Sequence, residues 1–465
     1  MSAPFLFIGL PLIVAILLWY YPQNRIHAFL AAGFFCLGMM VFAAAVPIDR
    51  GFVLGPFSIP LPSIFIIFGR RFVVAANSRT FLMLIFFFSS AWFFAACLTH
   101  AQRTFAAVGI AVVSLLIAAT AVEPFLYSAL LIETAVLFTV PLLAPLSEKP
   151  RKGILRYLIF QTLAVPFILL AGWASAEVEI NPTNEPLMVQ AVVFLGLGFA
   201  IWLAVFPFYT WAPMLAGETY PLLAGFVFSI FPLVVFNNLL DYLNAYGWLW
   251  NNAMLITSLQ ISGMIMVASA GLWVAFEKNL ARMLGYAFIL ENGFSLLAVS
   301  VTRYSDLKLF AFLILPRMIG FLFWSLTLSM LKEDNSVELD QLNGLFRSKP
   351  TYAIMIVVCC LSIGGLPLLA GFPVQSALLA KIAQQSVTVA GISMLGSVGM
   401  LVAGFRMMAI FVNSNSEEWL FSENRISMIV LGVGLLLLIG LGLFPQLFSA
   451  SMTNLLQAFG KIAGI

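Results

Sequence analysis

Four ionisable side chains stand inside otherwise unbroken apolar sequence: Glu133, Glu291, Arg317 and Lys381. Their surroundings read FLYSALLIETAVLFTVPLLAP, LGYAFILENGFSLLAVSV, FAFLILPRMIGFLFWSLTL and FPVQSALLAKIAQQ. A charge placed in hydrocarbon costs at least about 2.5–3.5 kcal/mol, so such a group normally faces a protein interior or water. A carboxylate there can bind and release a proton, and a lysine can be tuned to do so by its neighbours. An arginine stays protonated and can only hold a counter-charge or set a potential. That combination points to an ion path, for which a passive anchor has no use.

Composition defines the medium these groups sit in. Of 465 residues 62% are hydrophobic and 9% charged, with mean hydropathy +1.06. A soluble fold of this size needs a far more charged exterior. Apolar windows long enough to span a bilayer recur along almost the whole chain, about fourteen in all. The expected fold is therefore an all-α polytopic membrane protein. Met1 to Tyr20 has no basic leader and no small-residue cleavage site, so the first span is expected to stay.

The net charge of +3 is scattered over loops and gives no reason to expect nucleic acid. Cys36, Cys97, Cys359 and Cys360 lie in apolar spans without a CxxC spacing, and His27 and His100 are far apart, so neither a disulfide framework nor a bound metal is expected. No phosphate loop, GxGxxG or haem-binding histidine pair is present, so no cofactor is expected. Energy must come from an ion gradient or a partner.

With the N-terminus outside, thirteen lysines and arginines fall on inward loops and eight on outward ones. Lys149, Arg151, Lys152 and Arg156 carry most of the inward bias, while Arg50, Arg70, Arg71 and Arg79 weaken it. Both termini are thus expected on the non-cytoplasmic side. Three landmarks repeat at similar offsets: Glu133 and Glu291 by 158, Arg156 and Arg317 by 161, Pro207 and Pro367 by 160. Two five-helix units follow, 104–240 and 254–412, between an N-terminal 1–103 segment and a 413–465 helix and tail. An odd number of spans per unit inverts the second, an arrangement that recurs in transporters. The seventh span carries Pro207 and Pro213, and the twelfth carries Gly365, Pro367 and Gly371, so both are expected to be discontinuous. Freed carbonyls at membrane depth then need polar partners.

At these motifs the chain resembles the antiporter-like membrane subunits of proton-pumping NADH–quinone oxidoreductase, related to multi-subunit cation/proton antiporters and membrane hydrogenases. The resemblance runs from roughly residue 60 to 445. PFYTWAP at 207–213, with Glu218 after it, is similar to the family's PFHxWLPDAHxEAP. KNLARMLGYAFI from Lys278 resembles KxxxRxLAYSSI, and GGLPLLAGFP at 364–373 resembles GxPPxxGF. The segment from Glu123 to Glu133 matches the fourth-to-fifth-helix junction, whose later glutamate belongs to the family's proton path. The resemblance implies fourteen helices, two inverted repeats with a half-channel in each, and partner membrane subunits in a prokaryotic inner (cytoplasmic) membrane.

The departures are as informative. The family's first half-channel uses two lysines, and the corresponding positions hold Trp202 and, at or beside it, Pro232; no lysine occurs from Gly153 to Glu277. In the second half the usual histidine is Glu291, the eleventh-helix lysine is Arg317, and the twelfth-helix lysine is Gln375, with Lys381 six residues beyond. Several roles stay open. Glu133 can relay protons, or pair with Arg156 or a partner; Glu291 and Arg317 can simply neutralise each other. Lys381 can snorkel, Glu218 can be structural, and Lys278 and Arg282 can be topological anchors.

The expected function is a membrane-arm subunit, without its own redox centre, of a redox-driven translocase of protons or sodium. Its channel residues are degenerate. The alternatives are a subunit of a cation/proton antiporter and a non-conducting structural subunit. Reporter fusions at Lys152 and Asn181 are expected to report opposite sides of the membrane; the same side for both would remove the inverted-repeat argument.

Overall fold

Apolar runs become helices wherever Pro, Gly, Asn or Ser punctuates them. The computed structural model describes residues 2–447 apart from 21–23, 47, 49–51, 55–56, 60, 68, 145–150, 302–306, 335–336 and 414–421. Arg50, Lys149, Arg303 and Lys461, which entered the orientation argument, and the tail beyond Leu447 lie outside the described residues.

The helices before the first break are α1 (Leu10–Tyr20), α2 (Arg25–Ala45), α3 (Arg79–Ala96), α4 (Thr104–Ala121), α5 (Ser128–Leu143), α6 (Lys152–Ile180) and α7 (Glu185–Trp202). Then come α8 (Trp211–Glu218), α9 (Pro221–Ala245), α10 (Ala253–Phe276), α11 (Leu280–Val301), α12 (Lys308–Asp334) and the short α13 (Leu345–Ser348). The chain continues with α14 (Pro350–Ile363), α15 (Phe372–Gln385), α16 (Val387–Val412) and α17 (Arg425–Leu443). Among the described residues twelve helices are long and apolar enough to cross a membrane, and two shorter apolar ones are Phe5–Tyr20 and Pro350–Ile363. The protein is an integral, multi-pass membrane protein.

Capping follows from side chains beside the apolar runs. Asn184 accepts from Leu187 N–H (3.2 Å), Asn252 from Leu255 N–H (3.1 Å) and Ser386 from Val389 N–H (3.4 Å). Proline opens α9 and α14, where its missing N–H has no intrahelical partner to lose.

The all-α expectation needs one addition. Strands β1 (Phe52–Leu54) and β2 (Phe57–Ile59) pair antiparallel, and β3 (Ile64–Ile67) pairs with β4 (Arg70–Val73) around Gly69 at φ 73°. β4 also pairs with β5 (Val122–Glu123), which ties this hairpin to the end of α4. The hairpin holds two of the arginines that weakened the charge bias: Arg70 lies over the Tyr127 ring at 3.9 Å, and Arg71 Nε is 3.9 Å from Glu123 Oε2.

The core of the bundle is α9. Its spanning window is wholly buried, whereas that of α17 is only 28% buried. It packs against α4, α5, α8, α11 and α12. The neighbours of the two halves recur in the same order. α4 packs on α5, α5 on α6, and α6 on both α7 and α8; α10 packs on α11, α11 on α12, and α12 on both α14 and α15.

The two interruptions are built alike. α7 stops where Ala204 turns left-handed at φ 62°; Val205 N–H bonds back to Ala200 O (2.8 Å) and Ala204 N–H to Ile201 O (3.4 Å). α14 stops where Gly365 does so at φ 76°; Leu366 N–H bonds to Leu361 O (2.9 Å) and Gly365 N–H to Ser362 O (3.1 Å). This pair of bonds around a left-handed residue is the Schellman arrangement. Every equivalent atom lies 161 residues away (365 − 204, 366 − 205). Pro207 and Pro367 come after the stop and fill the linker. Pro213 sits in the first turn of α8, and Gly371 is the N-cap of α15.

A side chain in the left-handed region costs about 1–2 kcal/mol, which glycine avoids. Ala204→Gly is therefore expected to raise the thermal midpoint of the detergent-solubilised protein. Gly365→Ala is expected to lower it more than that strain alone, because its Cβ would collide with Gln375 Oε1. An unchanged midpoint in both variants would show that the left-handed stops do not matter to stability.

Candidate functional site

Pro232 sits inside α9 and lacks the amide that would bond to Phe228 O four residues back. That carbonyl lies within the wholly buried helix, where an orphan costs several kcal/mol. Arg317 of α12 supplies the missing donor: its Nη2 is 3.2 Å from Phe228 O. The same nitrogen donates to Asn292 Oδ1 at 2.7 Å. Arg317 is 6% exposed, and its guanidinium carbon lies 5.9 Å and 5.7 Å from the ring centroids of Phe288 and Phe321. The position expected to hold a lysine thus carries a proline that creates the acceptor for the arginine.

Asn292 passes the contact on. Its Nδ2 donates to Leu203 O at 3.0 Å, in the first interruption. The adjacent carbonyl of Trp202 accepts from Gln161 Nε2 at 3.5 Å, and Trp202 Nε1 donates to Gln161 O at 3.2 Å. Both residues are buried, so the indole that stands where the lysine was expected is held by the backbone of α6. Next to Gln161, Thr162 donates to Glu133 Oε1 at 2.6 Å. Glu133 Oε2 is buried without a hydrogen-bond partner. The face around it is apolar and exposed at Leu130, Leu137 and Phe138.

The structure therefore brings Glu133, Trp202, Pro232 and Arg317 into one series of polar contacts. It runs through Thr162, Gln161, Leu203 and Asn292, which sequence reasoning passed over because it searched only for ionisable groups. Gln161 and Asn292 are carboxamides inside apolar windows, a signal that was available. Glu291 is 4% exposed on α11 beside Asn292. The hydrogen bonds of Arg317 go to Asn292 and Phe228 O, and no ion pair within 4 Å joins it to Glu291. The two opposite charges therefore act on each other through space, without a direct contact.

The second interruption holds the other residues. Gln375 is buried and donates from Nε2 to Ile363 O at 2.8 Å, while Gly371 N–H donates to Ser362 Oγ at 3.3 Å. Gln375 Oε1 is buried without a partner. Lys381 is half-buried on α15, past this break. Glu218 stands apart: its Oε2 accepts from Gly153 N–H at 2.6 Å, at the N-terminus of α6, where a carboxylate is favoured by the helix dipole. Arg156 donates to Met214 Sδ at 3.0 Å, so the Glu133–Arg156 pair is not formed.

The KNLAR segment is a loop clasp. Asn279 Oδ1 accepts from Ala281 N–H and Arg282 N–H, both at 3.0 Å, and Asn279 Nδ2 donates to Glu338 Oε1 at 2.8 Å. Lys278 Nζ donates to Asp340 Oδ2 at 2.9 Å, which holds the exposed ammonium above its usual pKa. Arg406 donates to Ala275 O and Glu277 O at the end of α10.

The family described as NADH:quinone oxidoreductase/Mrp antiporter, transmembrane, matches residues 157–402, more than half of the chain. The chain belongs to this family. Among family members, the NADH-quinone oxidoreductase subunit N of Deinococcus radiodurans is 22% identical over 287 residues, 60% of this chain and 57% of that protein. The protein of the same name from Laribacter hongkongensis is 27% identical over 302 residues, 60% of this chain and 59% of its own length. This chain thus aligns with well under two thirds of each. In fold it is similar to a chain of the Mrp complex from Dietzia sp. DQ12-45-1b, with TM-score 0.79 at 14% identity, covering 100% of this chain and 97% of that one. A chain of respiratory complex I from Thermus thermophilus gives TM-score 0.74 at 18% identity, covering 97% of this chain and 99% of that one.

A double-mutant cycle checks the central contact. Arg317→Met leaves Phe228 O and Asn292 Oδ1 unpaired, each costing about 1–3 kcal/mol. In a Pro232→Ala background the restored amide at position 232 can bond to Phe228 O, so the same substitution is expected to cost about 1–3 kcal/mol less. Equal losses in the two backgrounds would show that Arg317 is not the donor for that carbonyl.

Proposed function

We propose that this chain is a membrane-arm subunit of a redox-driven ion-translocating complex of the NADH–quinone oxidoreductase type, in a prokaryotic inner membrane. Units 104–240 and 254–412 form its inverted repeats; the 161-residue correspondence of the two interruptions supports that relation. The observation that carries the function is the lateral series of polar contacts at membrane depth, from Glu133 through the first interruption to Arg317. The carboxamides of the series serve packing as well, but its charged ends, Glu133 and Arg317, must be desolvated, a cost that a scaffold has no need to bear. The names of the aligned relatives point to the same assembly.

In this reading Glu133 and Glu291 bind and release the transported proton or sodium ion, and Arg317 is a fixed positive charge between them. Lys381 and Glu218 complete the notional path, with Glu218 acting chiefly as a cap on α6. The unpaired Glu133 Oε2, on an exposed apolar face, takes a donor from an adjacent membrane subunit. The first unit conducts poorly, because Trp202 and Pro232 cannot titrate.

One observation favours the non-conducting alternative: Arg317 is committed to a carbonyl that only Pro232 exposes, so the pair reads as packing. The assay that separates the readings is proton or sodium uptake per electron in sealed vesicles, with complex assembly measured separately. Glu133→Gln is expected to lower the ratio, and so is Glu291→Gln. A normal ratio in the variant carrying both substitutions would leave the scaffold.

A further inference from the structure

A cavity of about 510 Å³ opens between the β3–β4 hairpin and the C-terminal end of α9. Its polar walls are Arg71, Asn77, Thr120, Glu123 and Asp241. We propose that it is an aqueous vestibule that admits protons or small monovalent cations to α9, and that Leu233 and Phe236 close it off from Arg317. What the ions do beyond that plug rests on the proposed function; the vestibule itself stands on geometry.

Size comes first. A water molecule takes about 30 Å³ of liquid volume, so this space holds a cluster of them. Charge comes second. Two carboxylates, Glu123 and Asp241, face one guanidinium, and Arg71 and Glu123 are each about half exposed (56% and 51%), so their 3.9 Å pair is a solvated one. Asp241 lies just before the last turn of α9, towards the end where the helix dipole disfavours a negative charge. The helix dipole therefore does not favour it there; held by Asn237, its carboxylate stands in the wall of the cavity, where it attracts cations.

The inner wall is polar too. Asn237, 5% exposed and one turn inward, donates from Nδ2 to Asp241 Oδ2 at 2.9 Å. A smaller void shares Val73, Thr120 and Ala121 with the vestibule and reaches Asn237 and Ser78. Ser78 is 8% exposed and its Oγ is buried without a partner, as is Asn77 Oδ1. A buried hydroxyl left alone costs about 1–3 kcal/mol, a penalty that water entering from the vestibule removes.

Further in, the lining changes. Ser229, Leu233 and Phe236 recur at helical spacing on α9 and border a void with Ser295 and Arg317. From Asn237 to Ser229 is about 12 Å of helix, at 1.5 Å per residue, and its lining is apolar at Leu233 and Phe236. The arrangement is a wet antechamber, a dry plug and a fixed positive charge.

Thiol labelling of the assembled complex in sealed vesicles tests this, with the parent chain as background. The reagents are applied on the side of the α6–α7 loop, where Thr183→Cys is the exposed control. Thr120→Cys is expected to react, and with a trimethylammonium thiosulfonate about tenfold faster than with its sulfonate counterpart, since two carboxylates against one guanidinium leave the cleft with an excess of negative charge that concentrates cations. Leu233→Cys is expected to resist both. Asp241→Asn is expected to slow the initial rate of ion entry about tenfold, and Asp241→Glu to restore it, with a pH dye and labelled sodium telling the two cargoes apart. A Thr120→Cys chain that resists both reagents while Thr183→Cys reacts overturns the vestibule, whatever the uptake. Equal labelling of Leu233→Cys overturns the plug, and normal entry in Asp241→Asn overturns the role of the carboxylate. If Glu133→Gln with Glu291→Gln transports normally, the proposed function fails, and the Thr120→Cys labelling still decides the vestibule.

Discussion

A buried carbonyl must have a donor, and the structure depends on how that rule is met at membrane depth. Water cannot serve groups sealed between helices, so the two interruptions, and Pro232 within the buried α9, create acceptors that side chains reach. Phe228 O is served by Arg317, Leu203 O by Asn292, Trp202 O by Gln161 and Ile363 O by Gln375. Three of the four donors are carboxamides. They supply N–H groups without a net charge, which is the cheaper way to satisfy a carbonyl in a low dielectric. Because each reaches across to another helix, satisfying the backbone also fixes how the helices pack.

The same rule shapes what the candidate site can do. Arg317 is tied to α9 and α11 at once, so it holds the centre of the bundle as well as any ion path. A lysine at that position would offer a single ammonium with rotatable donors; the planar guanidinium suits a fixed double contact. Pro232 and Arg317 therefore belong together as one structural exchange, and Trp202 with Gln161 is a second. In both, a position where the resemblance implied a titratable lysine is occupied by a group engaged in packing. The carboxylates are less fully engaged: Glu133 is bonded to Thr162 through one oxygen and keeps the other unpaired, and Glu291 forms no ion pair with Arg317 within 4 Å.

The two interruptions share their backbone geometry. The two interruptions match bond for bond at one offset, although one uses Ala204 and the other Gly365 in the left-handed position. Their linkers also differ in chemistry: the first is aromatic, with Phe206 and Tyr209 stacked, and the second is rich in glycine and leucine. One local backbone geometry is thus built with two different sets of side chains. The first break is met by Gln161 and Asn292 from other helices, and the second by Gln375, with Lys381 further along the same helix.

The sequence by itself determined the medium and the class. Long apolar windows with sparse charges must lie in a bilayer, and Glu133, Glu291, Arg317 and Lys381 stood out because charge there is expensive. The prolines and glycines at 207–213 and 364–373 marked the interruptions, since neither residue type sustains a helix. Only the tertiary structure decided which partner each polar group takes. Nothing local says that Arg317 bonds to Asn292 and Phe228 O instead of Glu291, because those contacts span 25 and 89 residues. The left-handed stop at Ala204 was equally hidden, as alanine carries no signal for that conformation and surrounding packing imposes it. The β3–β4–β5 sheet, and the cavity it walls with Asp241, arise from segments about fifty and more residues apart. Periodicity and composition act over one or two turns of helix, whereas the partner of a buried polar group is settled by which helices meet.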